Sequence, residues 1–412
     1  MSRLLLALGV AATLAAPAAA GTILYATAAS QHRVDSFCVG PNGGLTSAPH
    51  GQFELRGRRP RRVVVSPDNK FLFVAQIDRV EIFAIGARGD LTRVGKVPDV
   101  ARRMNPHDLG LGVGGRVLYV PDRVFGNIDA YDLSSLYPTQ AGAAPSVPTE
   151  PFSCIRGRVG TGWENIIVRE NLPQPLFYIS NSDSRGAVST FPLTGTGAFV
   201  RLCVDPETGE VLRDPVTGKP LECGVWGQNG CDDDSTVTPP SSRRKRLSGA
   251  QAMILDGNRL YVEARYARQL SAFDLQDDGT FGNQLPDGNQ RQKRATKTNK
   301  GLRYVGLVMA NRTLLMSHFV KGRIDSYRLR SDDRLPKEPS ESTAADVRTS
   351  PVRMTVFNDV LYVASGEANR IQAYRLFQEG QTRDRYPFSQ TDFLRGSFPN
   401  DVVIATIPDA CN

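Results

Sequence analysis

Tryptophan is nearly absent from this chain, with only Trp163 and Trp226 in 412 residues. That scarcity excludes the Trp-rich docking motifs of quinone-dependent dehydrogenases. The recurring Trp-Asp phrase of WD proteins is missing, as is the S-x-D-x-G-x-T-W box of sialidases. Six cysteines include no C-x-x-C pair, which argues against a zinc site. The run Asp232, Asp233, Asp234 lacks the spaced ligands and closing Glu of a calcium loop and reads as a solvated acidic turn. No metal and no cofactor are therefore expected. Outside the leading segment 1–20, no apolar run is long enough to cross a bilayer. The formal net charge is +8, yet no nucleic-acid motif accompanies it.

The leading segment, MSRLLLALGVAATLAAPAAA, has one Arg, an apolar centre and a small-residue ending. It reads as a signal peptide cut before Gly21. The mature protein is then secreted or periplasmic. No Cys stands at the cleavage point, so no lipid anchor is indicated. Residues 21–412 are expected to form one domain, because repeat architectures grow by adding units rather than new cores.

One phrase occurs seven times: an apolar pair or triplet, a polar turn, then a second apolar strand. It reads ILYATAASQHRVDSF at its first appearance and LYVASGEANRIQAY at its last. Its marker residues are Tyr25, Phe73, Tyr119, Tyr178, Tyr261, Leu315 and Tyr362. The spacing runs from 46 (Phe73 to Tyr119) to 83 (Tyr178 to Tyr261). Val, Ile, Tyr and Phe dominate, so each phrase reads as paired strands. Before every phrase but the first lies another apolar run, such as RRVVVS or QAMILD. Its lack of clean alternation suits a strand buried on both faces. A weaker fourth strand follows in several units. The unit is an antiparallel four-stranded meander, and seven such units predict an all-β, seven-bladed propeller.

The first unit lacks its leading strand, while an unmatched one, FPNDVVIATIP, stands at residues 398–408. Pairing the two would close the ring and remove an open edge. The alternative is an open all-β array or a sandwich. Closure also bears on the cysteines. Cys38 ends the third strand of blade one and Cys411 follows the closing strand. First and third strands of a meander run the same way, so a Cys38–Cys411 disulfide is expected. Cys154, Cys203, Cys223 and Cys231 flank blade four and its insertion, about 201–247, and would pair among themselves. Within the insertion two D-P-x-T-G pieces predict a hairpin.

Aligning the seven inner-strand starts exposes a polar column: Arg61, His107, Glu164, Gln251, Arg303, Arg353 and Asn400. Seven polar residues opening seven apolar strands predict a ring at one channel mouth. A wet mouth needs no function to be polar, but Arg forks suit carboxylate and phosphate. Residues leaving each second strand return to the same face, among them Asp122, Asn181, Glu263 and His318. Basic clusters at 56–62, 101–103, 243–246 and 291–300 precede inner strands and would rim that face. The bland alternative is solubilising loop charge.

The pieces SPDNKFLFVAQIDRVEIFAI, NPHDLGLGVGGRVLYVPD and YISN resemble the lactonase-type, YVTN-repeat seven-bladed propellers. That family includes 6-phosphogluconolactonase-like bacterial enzymes and fungal carboxy-muconate cyclases. The resemblance implies an active site lined by a Pro-His strand start and an Asp after the next strand, here Pro106-His107 and Asp122. It also implies Arg and Glu on neighbouring blades, here Arg61, Arg303, Arg353 and Glu164. Two functions stay open. One is binding of an anionic small molecule, glycan or protein partner at a basic mouth, by a monomer with no membrane span and no nucleic-acid partner. The other is lactone hydrolysis with His107, Asp122 and Glu164 as catalytic residues.

Overall fold

A computed structural model describes residues 21–97, 105–140, 143–156, 162–182, 187–202, 212, 214–216, 221–225, 249–264, 269–281, 296–297, 304–331, 335–336, 339–343, 350–384, 386–392, 396–407 and 409–411. The leader lies outside these residues, as do Cys203, Cys231 and most of the insertion. The described residues are all-β, apart from two 3-10 turns at Ala29–Gln31 and Ser134–Leu136. No helix among the described residues is long and apolar enough to cross a membrane.

Seven antiparallel sheets form the blades of a propeller. Six have four strands. In blade four, three strands pair among the described residues, and Val200–Leu202 pairs instead with Glu222–Val225. That pairing brackets the predicted hairpin of the insertion. The first strands touch one another from blade three round through seven to one and two, so they face the axis.

Ring closure follows the expected route. The C-terminal strand Pro399–Ile407 pairs with Gly21–Ala28, with Tyr25 opposite Val403. Cys38 is bonded to Cys411 with Cα atoms 5.6 Å apart. Cys154 and Cys223 are also disulfide-bonded. The hydrophobic core gives independent evidence of a closed circle. It divides into seven clusters, each shared by two neighbouring blades, including one between blades seven and one. An open row of seven sheets would have six such interfaces. No single blade can bury both of its faces, so the ring is stabilised between blades rather than within them.

The marker tyrosines of the repeat now acquire a physical role. Four of them reach sideways from a second strand to the outer hairpin of the next blade. Tyr25 donates to Gly89 O at 2.8 Å, Tyr119 to Gly197 O at 2.7 Å, Tyr178 to Gly279 O at 2.5 Å and Tyr362 to Gly43 O at 2.9 Å. All four rings are fully buried, so each hydroxyl needs the partner it finds. The accepting turns require glycine, as the first of them shows. Gly89 sits in the left-handed region, and a Cβ added there would collide with Ile23 Cδ1 on the blade carrying Tyr25. Only a residue without a side chain fits both demands. The repeat phrase is thus a blade-to-blade latch. In blade six, where Leu315 takes the tyrosine's place, Thr313 Oγ1 donates to Glu379 O of blade seven at 2.5 Å.

Candidate functional site

The starts of the inner strands are irregular. A β-bulge inserts extra residues there in blades one, four, five, six and seven. Bulges re-aim side chains and leave ladder groups unpaired, and they cluster near functional sites. Residues adjacent in sequence here enter two different environments.

The first environment is a closed network of charges. Asp401 of blade one accepts Val63 N of blade two at 2.9 Å and pairs with Arg62 Nη1 at 3.2 Å. Arg62 Nε meets Asp108 of blade three at 2.6 Å. Asp108 accepts Ile166 N of blade four at 3.0 Å and Asn165 Nδ2 at 2.5 Å. Asn165 Oδ1 in turn accepts Met253 N of blade five at 2.9 Å. Arg353 of blade seven reaches across to Asp108 at 3.7 Å. Asp108 and Asp401 are fully buried, so only this pairing makes their charges tolerable. Burial pushes Asp401 up, against the pull of Arg62 and Arg353. Burial would lower Arg62, but the two carboxylates outweigh it and hold it above its ordinary value.

The second environment is built from the neighbours of those residues: Arg61, His107 and Glu164. Glu164 is almost fully buried. Its Oε2 lies 2.6 Å from His107 Nδ1. Its Oε1 accepts Ser182 Oγ at 2.7 Å and meets Arg123 Nη2 at 3.0 Å. Arg123 Nη1 lies 3.3 Å from His107 Nε2. One tautomer satisfies every contact: Nδ1–H donates to Glu164, and Nε2 accepts from Arg123. The backbone holds the group together. Gly162 N donates to Arg123 O at 2.7 Å and Ser182 N donates to Gly162 O at 2.8 Å.

Charges in this cluster do not balance. Arg61 feels Glu164 and Arg123 electrostatically, but no carboxylate lies within ion-pair distance of it among the described residues. Burial, then the charge of Arg123, pull Arg61 below its ordinary value. His107 is also lowered, first by burial, with Arg61 and Arg123 adding to the effect and Glu164 opposing it. Glu164 is raised by burial, but its bond to His107 and the charges of His107 and Arg123 bring it below the ordinary carboxylate value. The result is a neutral, oriented imidazole between a buried carboxylate and two guanidiniums. Such a group can exchange a proton at Nε2 and can hold an anion beside it.

The predicted column fares unevenly. Arg61, His107 and Glu164 come together. Asn400 Nδ2 donates to Pro60 O at 3.2 Å, tying blade one to blade two. Gln251 Oε1 is buried with no hydrogen-bond partner among the described residues. In blades six and seven the alignment slips. By strand register, Met354 opposite Val363 and Leu307 opposite Met316 match Ile166 opposite Ile179. The column members there are Val352 and Val305. Arg353 sits one place on, in the charge network, and Arg303 lies outside the described residues. Asp122 Oδ1 accepts Val124 N at 2.7 Å and Phe125 N at 3.1 Å, shaping the turn that presents Arg123. His318, in blade six, is lowered to about 4 by burial and by Arg323. Arg123 and Ser182 were missed. They lie one residue beyond Asp122 and Asn181, so counting one place further past each second strand would have found them. Of the basic clusters, only Arg56–Arg62 lies wholly within the described residues.

A cleft of 260 Å³ lies at the opposite face, where turns join first and second strands, lined by Val113, Val168, Glu170 and Leu193. The Glu170 carboxylate there already accepts Gly114 N.

No family model and no curated protein matches the chain. Solved structures do. A candidate 6-phosphogluconolactonase from Bacteroides fragilis matches with TM-score 0.66 at 13% identity, over 94% of this chain and 98% of that one. The periplasmic gluconolactonase of Pseudomonas aeruginosa matches with TM-score 0.65 at 13% identity, over 95% and 100%. A protein from Lactobacillus plantarum matches with TM-score 0.64 at 10% identity, over 94% and 99%. What is shared at these identities is the fold, a seven-bladed β-propeller.

Proposed function

We propose that this protein binds an anionic small molecule, of the sugar-acid or glycan class, at the mouth formed by blades two to four. The observation that carries this reading is the uncompensated guanidinium of Arg61 beside Arg123, next to a single buried carboxylate that His107 and Ser182 already occupy. A ligand carboxylate or phosphate supplies the missing negative charge. The disulfides, together with the leader, support export to an oxidising compartment, secreted or periplasmic. The protein acts as a monomer in this reading.

The His107–Glu164 pair favours a second reading at the same place, opening of the lactone ring of an acidic sugar. Glu164 fixes the tautomer and stabilises the imidazolium, as a carboxylate does in hydrolytic triads. His107 Nε2 takes a proton from water as its oxygen attacks the lactone carbonyl carbon. Arg61 offsets the charge growing on the carbonyl oxygen. When the ring C–O bond breaks, the imidazolium returns the proton to the leaving oxygen. Asp122 is not placed in this chemistry, because it holds the turn. Arg353, paired with Asp108, is removed from the anion-holding role.

Two measurements on the same protein separate these readings. Calorimetric titration with gluconate and 6-phosphogluconate reports binding, and ring-opening assays on the corresponding lactones report turnover. Saturable binding without turnover establishes the binding protein. Turnover abolished by His107→Ala establishes the hydrolase, whereas turnover that survives that change sinks the mechanism. Absence of both overturns the proposal.

A further inference from the structure

Arg123 holds two groups at once. Its Nη2 is on Glu164 and its Nη1 is on His107 Nε2, the one ring nitrogen that Glu164 leaves available. Its backbone is fastened on both sides, with its own N donating to Asn105 O at 3.2 Å and its O accepting Gly162 N. Its side chain is nevertheless 36% exposed, against 3% for Glu164 and 20% for His107. A fixed backbone under a half-exposed fork is a part that can swing without unfolding anything. Among the described residues the groups facing His107 are Glu164, Arg61 and Arg123, so Arg123 is one of two cations there and the one in contact with the ring.

We propose that Arg123 is a displaceable cap on His107, drawn off Nε2 by the anionic group of a bound ligand. This rests on the anion-binding reading of the mouth and adds how that site is switched. In the ligand-free protein the guanidinium donates into the Nε2 lone pair and keeps the imidazole idle. A ligand carboxylate offers the guanidinium a charged acceptor, a stronger partner than a neutral ring nitrogen. Nε2 then becomes free for a hydroxyl or a water, and the added negative charge makes the ring more basic. By linkage, protonating His107 strengthens anion binding by the same factor that the anion raises proton affinity. Arg123 is thus a positioning residue that ties proton chemistry to the presence of the ligand.

The test follows His107 by imidazole nitrogen NMR in the full mature chain, with sodium gluconate as the probe. Without ligand, Nδ1 carries the proton. On saturation the titration midpoint of His107 rises by about one unit, a tenfold coupling. In Arg123→Gln the ligand-free midpoint is already raised, and gluconate shifts it by less than half as much. Arg123→Lys, which keeps the charge but loses the fork, falls between. A second arm needs no ligand: carbethoxylation of His107 by diethyl pyrocarbonate, which attacks an unprotonated and uncovered ring nitrogen, is faster by about tenfold or more in Arg123→Gln. Equal modification rates in folded wild type and Arg123→Gln overturn the cap, whatever gluconate does. So does a ligand-induced shift of the same size in both proteins. If gluconate fails to bind while the modification rates differ, the cap stands and the choice of anion falls.

Discussion

Arg61 and Arg62 are neighbours in the chain and opposites in the fold. The same contrast divides His107 from Asp108 and Glu164 from Asn165. Arg62, Asp108, Asn165 and Asp401 form a chain of contacts that runs from blade one to Met253 N of blade five, with both buried carboxylates paired. Arg61, His107, Glu164 and Arg123 form a group with a cation to spare. Strand geometry makes this possible, since successive side chains leave opposite sides and the bulges exaggerate the turn. One set of residues ties blades one to five around the axis, and its neighbours carry the cation on which the proposed binding rests. A polar ring at a mouth is therefore not one thing. Its stability and its chemistry can be broken separately.

Asp401→Ala should break the first set with the largest effect. It leaves Arg62 half-paired and Val63 N unsatisfied at the ring seam, which costs about 3–5 kcal/mol. Urea denaturation should show it as a lowered midpoint. Next comes the covalent seam. Cys38→Ser with Cys411→Ser removes a cross-link spanning 373 residues of sequence, and a loss of about 2–4 kcal/mol is expected by the same measurement. Arg61→Ala should act in the opposite sense. Gluconate affinity falls by about tenfold to a hundredfold, as for a lost hydrogen bond to a charged group. The denaturation midpoint, by contrast, moves by no more than about 0.5 kcal/mol in equivalent stability. If Asp401→Ala leaves stability intact, or Arg61→Ala destroys it, the division between the two sets is wrong.

Smaller effects sharpen the picture. Tyr119→Phe deletes one latch to Gly197 and should cost about 1 kcal/mol. Acid should weaken the His107–Glu164 group in a defined order. His107 is lowered from 6.5, so the unfolded chain takes up its proton first, and stability is lost as pH falls from there through the folded value. Glu164 is lowered from 4.5, so its contribution is whole above that value and disappears as pH falls through its own folded value. Glu164→Gln should flatten the lower part of the curve of melting midpoint against pH, and His107→Asn the upper part.

The seven blades and the seam were legible because each depends on a repeated local signal: the Tyr-centred phrase, or its absence at one end. The Cys38–Cys411 bond followed from strand direction alone. In blades one to five the aligned residues share one register position, with Pro or Trp just before the polar residue in blades one to four and Ala250 in blade five. In blade six the run LRYVGLV holds one polar side chain, Arg303, two places before the position that register assigns to the column, and the alignment followed it. In blade seven Pro351 marks the start, but the alignment began one residue late. The charge network was invisible for another reason. Its members stand one place after the starts of the inner strands, but they mix Arg, Asp and Asn, and each finds its partner on another blade, so their sequence does not show who pairs with whom. Arg123 escaped because the count past the second strand stopped one residue short, at Asp122.

The closing strand carries more than an edge. Asp401 lies on it, and so does Asn400, which holds the loop leading to Arg61. Synthesis delivers them after the strands of blades two to seven, so blade one, begun first, is completed after all the others. Removing Pro399–Ile407 would therefore take away the anchor of the loop leading to Arg61 together with the ring.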